Sequence, residues 1–345
     1  MSGRSTLLAA SILALCTSAA QADNVADFYR GRQVSIYIGS DAGSGFDAYA
    51  RLVGRHIGKH IPGNPSVVPS NKPGAGSLNM TNSLVNAGPK DGSVIGAPQS
   101  SAPVEQLLHL ASKGGTSAAK FETTKLNWLG SASQDVFILF DWHTAKPKSF
   151  ADLTSMEMLL GSSGLNTDGS LIAVALNKIL GTKIKLIVGY QASSAEMLAM
   201  ERGEIDGNAM AYASVLTMHS DWVRDGKIRI LAQMAIKPHP ALKDVPFVLD
   251  MVKSPDDRAV LELIFAKYQM GRPFFVPPEV PKERVDALRT AFWGTMNDPE
   301  LRADAKKMRL DVDPVSGADV QAMIEKLYRT PEPLVRRTRE ILGTE

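Results

Sequence analysis

The stretch VSIYIGSDAGSGFDAYARL, residues 34–52, places three local patterns side by side. Residues 34–38 indicate a buried strand, and residues 39–45 are glycines and small side chains typical of a loop. Apolar side chains at Ala48 and Leu52, continued by Val53 and Ile57, have helical spacing. The stretch therefore predicts a strand, a glycine-rich loop and a helix, and it raises the question of what the loop binds.

The same order of elements continues along the chain. Strand patterns alternate with helical ones, which is typical of an α/β fold with helices packed on largely parallel sheets. Two such sets are separated by the apolar run 136–140, which predicts two lobes. Beyond residue 238 the spacing of apolar side chains is mainly helical. The further predicted strands are 66–69, 94–97, 158–161, 185–188, 205–209 and 228–233, and the further predicted helices include 77–87, 170–180 and one that begins at Ser193.

The first residues of the chain have the pattern of a secretory signal peptide. Arg4 precedes an apolar stretch at residues 7–16, and Ala20-Gln21-Ala22 is a small-residue cleavage site. We therefore expect residues 1–22 to be removed and the remaining chain to be periplasmic. Cys16, the only cysteine, lies inside this segment, so the exported chain has no disulfide. Lipidation of Cys16 is the alternative, and Leu15 argues against it because a smaller residue usually stands there.

Composition narrows the range of partners. The formal net charge is +2, and basic and acidic residues are interspersed along the chain. This distribution indicates neither a nucleic-acid surface nor a polybasic face for a membrane. A globular protein of this length can bury a sufficient core without disulfides.

Short motifs follow the predicted strands in a fixed order. Most of them combine glycine with small polar residues, and several stand just before a predicted helix. They are GSGFD at 43–47, NKPGAG at 71–76, PKDG at 89–92, GSSG at 161–164, GYQ at 189–191, GEID at 203–206, DVP at 244–246, FVPP at 275–278 and NDPE at 297–300.

This ordered set resembles the extracytoplasmic solute receptors of tripartite tricarboxylate transporters, the Bug or TctC-type receptors. The resemblance covers essentially the whole exported chain. It implies a type II periplasmic-binding-protein fold, with a ligand cleft and a hinge between two α/β lobes. We expect lobe I to comprise residues 23–134 plus 234–345, and lobe II residues 135–233.

The resemblance also implies a function. Such receptors capture a small carboxylate between closing lobes and deliver it to a membrane permease, so we expect no enzymatic activity, no catalytic residue, no cofactor and a monomeric protein. A binding protein that feeds a sensor system is the alternative within the same class.

The loop residues themselves explain how an anion would be held. The ligand crevice of an α/β sheet lies at the carboxyl ends of its strands, and a helix N-terminus offers unpaired N–H groups to an anion. Glycine allows the ligand to approach the backbone closely. The predicted ligand-binding residues are Asp41, Gly43, Ser44, Gly45, Asn71, Gly74, Ala75, Gly76, Ser162, Ser163, Asn166, Thr167, Tyr190 and Gln191.

Two departures from the family pattern concern charge. The first loop begins with residues 39–43, GSDAG, where relatives commonly have a proline-rich start, so Asp41 is gained. Gln191 stands where many relatives have lysine. Both changes disfavour a highly charged anion such as citrate and favour a monocarboxylate, an aromatic acid or an amino acid whose ammonium meets Asp41. Asp41 is equally compatible with a solvent-exposed turn.

Enzymatic alternatives have weaker support. Gly43, Gly45 and Ala48 match part of a dinucleotide fingerprint, but Ser70-Asn71-Lys72 stands where an acidic residue is expected. His56 and His60 have the helical spacing of a zinc pair, but no third ligand stands near them in the sequence, so we expect no metal site. The serines at 162 and 163 lack the flanking pattern of a hydrolase nucleophile.

Overall fold

A computed structural model describes residues 25–110, 117–165, 167–191 and 193–345. Its strands form two separate mixed sheets, one of six strands and one of five. The predicted signal peptide, residues 1–22, lies outside the described residues. The strands are β1 (Gln33–Ile38), β2 (Ser66–Asn71), β3 (Val94–Ala97), β4 (Asn127–Ser131), β5 (Phe137–Trp142), β6 (Glu157–Ser162), β7 (Lys183–Val188), β8 (Gly207–Ala211), β9 (Ile228–Met234), β10 (Pro273–Val276) and β11 (Val315–Ser316).

The six-stranded sheet contains β1, the strand that precedes the first glycine-rich loop. Its strand order is β11-β4-β10-β3-β1-β2, and β1 runs parallel to both β2 and β3. Ile38 pairs with Asn71 and with Ala97, so the loops after these three strands begin at one edge. The predicted parallel β-α-β-α-β unit is confirmed.

The five-stranded sheet has the order β7-β6-β8-β5-β9, with β6 parallel to β7 and β8. β5 is antiparallel to both β8 and β9. The apolar run 136–140, which lies between the two predicted sets in the sequence, forms most of β5, a strand inside this sheet with both of its faces buried. The predicted strand 205–209 is shifted to Gly207–Ala211.

The C-terminal part of the chain is mainly helical, as predicted, but it also contributes two short strands, β10 and β11, to the six-stranded sheet. The short β10 is inserted between β3 and β4 of the six-stranded sheet and is antiparallel to both. All four of its residues are buried. An apolar run this short has too little periodicity to be distinguished from part of a helix.

Helices cover both faces of each sheet, and each helix within the described ranges is too short or too polar to cross a bilayer. The helices are α1 (Gly45–Ile57), α2 (Leu78–Ala87), α3 (Glu105–Leu108), α4 (Asp168–Leu180), α5 (Ser193–Glu201), α6 (Tyr212–Arg224), α7 (Val248–Met251), α8 (Pro255–Phe265), α9 (Lys282–Met296), α10 (Pro299–Met308), α11 (Gly317–Tyr328) and α12 (Glu332–Leu342).

We define lobe I as the six-stranded sheet with the helices packed on it, and lobe II as the five-stranded sheet with its helices. In lobe I, α1, α9 and α10 share one core and α2 and α11 another. In lobe II, α4 packs on one face and α5 and α6 on the other. The residue boundaries given above for the lobes stay a prediction. α8 and α12 lie beyond residue 234 in the chain, and both pack in the core of lobe II.

The chain crosses between the sheets in two neighbouring segments, 132–136 and 266–272. The backbone N–H of Ala132 donates to the carbonyl of Arg272 over 2.9 Å, and that of Asp135 donates to the carbonyl of Tyr268 over 2.8 Å. Ser131 Oγ also accepts from the backbone N–H of Arg272. These bonds hold the two crossings together, which defines the hinge between the lobes.

Candidate functional site

The loops at the carboxyl ends of the parallel strands of the two lobes meet. Ser100, which follows β3 in lobe I, donates from Oγ to Asp168 Oδ2 of lobe II over 3.4 Å. A Cβ atom placed on Gly45 of lobe I would stand 2.4 Å from Ser214 Oγ of lobe II. These contacts bring together the edges at which α/β sheets bind their ligands, and we call the region between these edges the cleft.

The first loop of lobe I is closed on itself by Asp47. Ser44 is the N-cap of α1, and its Oγ accepts from the backbone N–H of Asp47. The Asp47 carboxylate reaches back and accepts from the N–H of Gly43 over 2.8 Å. Burial alone would raise the pKa of Asp47, but hydrogen bonds from Arg51, Gly43 and Asn71 outweigh burial and hold that pKa below its ordinary value. Asp47 is therefore ionised, and its carboxylate holds the loop in place.

Asn71 completes this network from the end of β2. Its Nδ2 donates to the carbonyl of Ser40 over 2.9 Å and to Asp47 Oδ1 over 2.8 Å. Its Oδ1 accepts from Arg51 over 2.6 Å. The side-chain amide of this predicted ligand residue is therefore bonded to the protein, and it positions the loop that contains Gly43 and Gly45.

The loop after β2 has an unusual backbone. Gly74, Ala75, Gly76 and Ser77 all have positive φ, at 126°, 48°, 61° and 78°. Such a run is costly for residues with a side chain, so the surrounding structure must hold it. The predicted ligand residues Gly74, Ala75 and Gly76 thus lie in one loop whose backbone has positive φ at each of them.

Ser77, which sequence reasoning missed, joins three of these loops. Its side chain is fully buried, its Oγ donates to the carbonyl of Gly39, and it accepts from the backbone N–H of Gln99, both over 2.9 Å. A Cβ on Gly39 would lie 2.4 Å from that of Ser77. A serine directly after the glycine motif was the only sequence signal for this role.

In lobe II, hydroxyl groups gather around the loop that follows β6. Ser162 Oγ and Ser170 Oγ each donate to the carbonyl of Gly164 over 2.8 Å. Thr167 Oγ1 lies 2.7 Å from Ser162 Oγ and caps α4 by accepting from the backbone N–H of Ser170. Ser162 and Thr167 therefore shape the loop from inside, while Ser163 is exposed on its surface. Asn166 lies outside the described residues.

The loop after β7 is bonded to the same strand end. The backbone N–H groups of Gly189 and Tyr190 donate to the carbonyl of Ser162, over 3.1 and 3.4 Å. The buried Glu196 near this loop, which is not among the predicted ligand residues, accepts from Asn208 Nδ2 over 2.7 Å. Burial raises the pKa of Glu196. Gln191 is exposed beside this loop.

A buried ion pair lies at the floor of the cleft, where the lobes join. Arg272 Nη1 stands 3.0 Å from Asp135 Oδ2, and both side chains are almost completely buried. The guanidinium packs 4.1 Å from the ring centroid of Phe46 and 5.0 Å from that of Tyr49. Its Nη2 donates to Ser214 Oγ over 3.4 Å. Burial raises the pKa of Asp135 to about 6, although Arg272 opposes the shift.

A second buried ion pair connects the hinge to the first turn of α4. Lys267 is 1% exposed, and its Nζ donates to Asp168 Oδ1. Because Asp168 also accepts from Ser100, this carboxylate joins the hinge segment, lobe I and lobe II. The residues of both pairs are distant in sequence and follow no motif, so sequence reasoning did not find them.

The two histidines weighed as a zinc pair lie on α1, away from these loops, where α1 packs against α10. His56 Nε2 lies 3.1 Å from Asp304 Oδ2, and His60 Nε2 lies 2.9 Å from Asp298 Oδ2. Ligand atoms of His56, Asp298 and Glu300 fall within 4.8 Å of one another. Lys59 forms ion pairs with both Asp298 and Glu300. The cluster is therefore an ion-pair network between two helices.

The structure thus brings the predicted residues into two groups, each at the carboxyl edge of one sheet. The lobe I group consists of residues in 41–45 and 71–76, and the lobe II group of residues in 162–167 and 190–191. Asp41 is exposed in the loop after β1. Their contacts with a ligand stay a prediction, since the bonds described above are within the protein.

Comparison with known proteins addresses the fold. No family model and no curated protein matches the chain. The periplasmic binding protein BugD is similar in structure, with a TM-score of 0.69 at 17% identity over 92% of this chain and 99% of that one. The chain has the two-lobed periplasmic-binding-protein fold.

Two further solved structures carry a ligand. MatC from Rhodopseudomonas palustris with bound malate has a TM-score of 0.67 at 14% identity, over 90% of this chain and 99% of that one. The R. palustris protein Rpa4515 with adipate has a TM-score of 0.66 at 19% identity, over 91% and 97%. The predicted fold class is confirmed, and the resemblance drawn from the motifs holds at the level of the fold.

Proposed function

We propose that the protein is an exported solute receptor, which captures a small carboxylate between its two lobes and delivers it to a membrane permease. The observation that carries the proposal is the meeting of glycine-rich loops from both lobes at one cleft, beside a hydrogen-bonded hinge. Similar folds contain malate in MatC and adipate in Rpa4515. The protein acts by binding and carries out no reaction.

Helix N-termini supply the positive potential for the carboxylate. In α1 the first intrahelical bond runs from the N–H of Ala48 to the carbonyl of Ser44, and Ser44 Oγ accepts from the N–H of Asp47. The N–H groups of Gly45 and Phe46 come before these bonds and point out of the helix end. They lie at the end of α1 where Gly45 approaches lobe II, so an anion bound at this helix end meets two donors and the helix dipole.

Closure couples binding to delivery. A ligand that contacts both lobes binds the closed arrangement more tightly than the open one, and it shifts the population toward closure by that difference in affinity. The permease then recognises a surface formed only when the lobes are together. The hydrogen bond from Ser100 to Asp168 and the approach of Gly45 to Ser214 are the interlobe contacts that we expect closure to form.

A thermal-shift screen of the purified protein tests the proposal. The panel contains monocarboxylates, dicarboxylates, tricarboxylates, aromatic acids and amino acids, with nicotinamide dinucleotides as the control class. A ligand that binds only the folded state raises the melting temperature in proportion to occupancy. We expect a concentration-dependent rise with a carboxylate. A response to the dinucleotides alone would overturn the proposal and favour the fingerprint interpretation of Gly43 and Gly45.

A further inference from the structure

Two large apolar side chains are exposed at the cleft edge of lobe II. Leu165, in the loop between β6 and α4, is 64% exposed, and Val188, the last residue of β7, is 49% exposed. Val188 pairs with Ser162 across the strand ends, so both residues stand at the carboxyl edge of the sheet. We call Leu165 and Val188 the apolar rim.

The strand geometry shows which side of the sheet the apolar rim occupies. Side chains two residues apart in a strand share a face. Ile184 and Leu186 of β7 pack in the core beneath α4, so Val188 stands on the same face, beside the N-terminal end of α4. Leu165 belongs to the loop that leads into that helix. The apolar rim therefore adjoins the helix end that faces the cleft, and burying it against a ligand would be favourable.

Charges around the cleft complement this apolar surface. The buried cations Lys267 and Arg272 are each already paired, with Asp168 and Asp135. Lys72 adds an exposed cation at the lobe I edge, with its Nζ 4.4 Å from the Tyr37 ring centroid. Asp41, exposed on the same edge, repels additional negative charge. This balance suits one carboxylate better than two.

We propose that the ligand is a monocarboxylate with an apolar body, aliphatic or aromatic. Its carboxylate lies at the loop of lobe I that contains Gly45, and its apolar body lies against Leu165 and Val188 of lobe II. This inference rests on the proposed function and names the ligand class of the same site. It distinguishes this protein from MatC and Rpa4515, whose structures contain the dicarboxylates malate and adipate.

Hexanoate and adipate form a matched pair of probes, because they have the same number of carbons and differ by one carboxylate. Isothermal titration of the purified protein should give a dissociation constant for hexanoate at least tenfold below that for adipate. Butyrate should bind more weakly than hexanoate, by about fourfold for each methylene lost. Tighter binding of adipate would overturn the monocarboxylate inference and leave the receptor function intact. The absence of detectable binding with every carboxylate would contradict the receptor function itself.

Variants of exposed residues locate the apolar body with little risk to folding. Leu165→Ser and Val188→Ser should each weaken hexanoate binding by about fivefold to tenfold, because apolar contact is lost. Met156→Ser is the matched control: Met156 is 45% exposed but precedes β6, at the opposite end of the sheet. Its hexanoate affinity should be unchanged. Equal affinity in all three variants and the parent would overturn the placement of the ligand on the apolar rim.

Discussion

The two sets of cleft loops are built in different ways. In lobe I, Asp47, Asn71 and Arg51 form a charged network, and the buried Ser77 joins the loops after β1, β2 and β3. In lobe II the loop after β6 is held by hydroxyl groups around one carbonyl, and it exposes Leu165 to solvent. The first set is fixed by a charged network, whereas the loop after β6 is held by hydroxyl groups and has an apolar surface.

This difference suggests that the two lobes recognise different parts of the ligand. Recognition of a carboxylate by backbone N–H groups requires those groups to be fixed before the ligand arrives, and the lobe I network provides this fixation. Recognition of an apolar body depends on contact area and tolerates adjustment. The following predictions test whether the polar network of lobe I carries more of the stability and binding than the matching parts of lobe II.

Asn71→Asp should have the largest effect. The substitution replaces two donated hydrogen bonds with a carboxylate facing Asp47, and it adds repulsion in a site where Asp47 is held ionised. We expect the free energy of unfolding to fall by about 3 kcal/mol in urea denaturation, from lost bonds and like charge together. Affinity for the carboxylate should fall as well, because the loop that bears Gly45 loses its anchor.

Ser163→Ala is the control for Asn71→Asp, since Ser163 is also a predicted ligand residue but is exposed in lobe II. Its free energy of unfolding should change by less than about 0.5 kcal/mol. Similar destabilisation by the two substitutions would remove the distinction between the polar network and the opposite loop.

Two buried carboxylates should make stability depend on pH in opposite directions. Asp47 has a lowered pKa, so its contribution is present at neutral pH and is lost as the pH falls below about 4. Asp135 has a pKa raised to about 6, above its unfolded value, so the folded chain binds more protons between those values. Stability therefore rises as the pH falls from 7 to 5. Asp141, whose pKa burial also raises to about 6, adds to the rise.

Urea denaturation at pH 7 and pH 5 measures this dependence. We expect the free energy of unfolding to be about 2 kcal/mol higher at pH 5 than at pH 7, from Asp135 and Asp141 together. In Asp135→Asn the gain should be about half as large, although the variant is less stable overall because Arg272 loses its partner. The slope with pH, and not the absolute stability, is the decisive quantity. An Asp135→Asn variant with the same pH dependence as the parent would show that Asp135 is ionised without penalty.

The strand and loop patterns of the sequence were sufficient for the parallel parts of both sheets and for the order of the cleft loops. Residues 34–52 form the expected strand, loop and helix because their local preferences agree with the tertiary fold. β10 was missed because a short buried strand has no distinguishing period. Arg272 with Asp135 and Lys267 with Asp168 were missed for another reason: partners far apart in the chain leave no local pattern.

Gly45→Ala should weaken ligand binding by about tenfold or more, because a Cβ at this position would collide with Ser214 Oγ when the lobes are together. Removing the hydroxyl leaves Ser214 Cβ as the next neighbour at 3.4 Å, which is ordinary contact. Gly45→Ala combined with Ser214→Ala should therefore recover most of the affinity, as measured by titration with the best carboxylate from the screen. Ser214→Ala alone serves as the control. Failure of the double variant to recover would indicate that the Gly45 backbone itself, and not lobe closure, is disturbed.

Substitution of the helix N-cap should have nearly the same effect on stability in the two lobes. Ser44 caps α1 in lobe I and Thr167 caps α4 in lobe II, each by accepting a backbone N–H three residues ahead. Ser44→Ala and Thr167→Ala should each lower the free energy of unfolding by about 1 kcal/mol, the usual loss for an N-cap, in urea denaturation. Near-equal losses would show that the caps are equivalent and that the asymmetry lies in the Asp47–Asn71 network. If Thr167→Ala instead cost as much as Asn71→Asp, the hydroxyl cluster around Gly164 would be as stabilising as that network, and the loops of lobe II would have to be regarded as equally rigid.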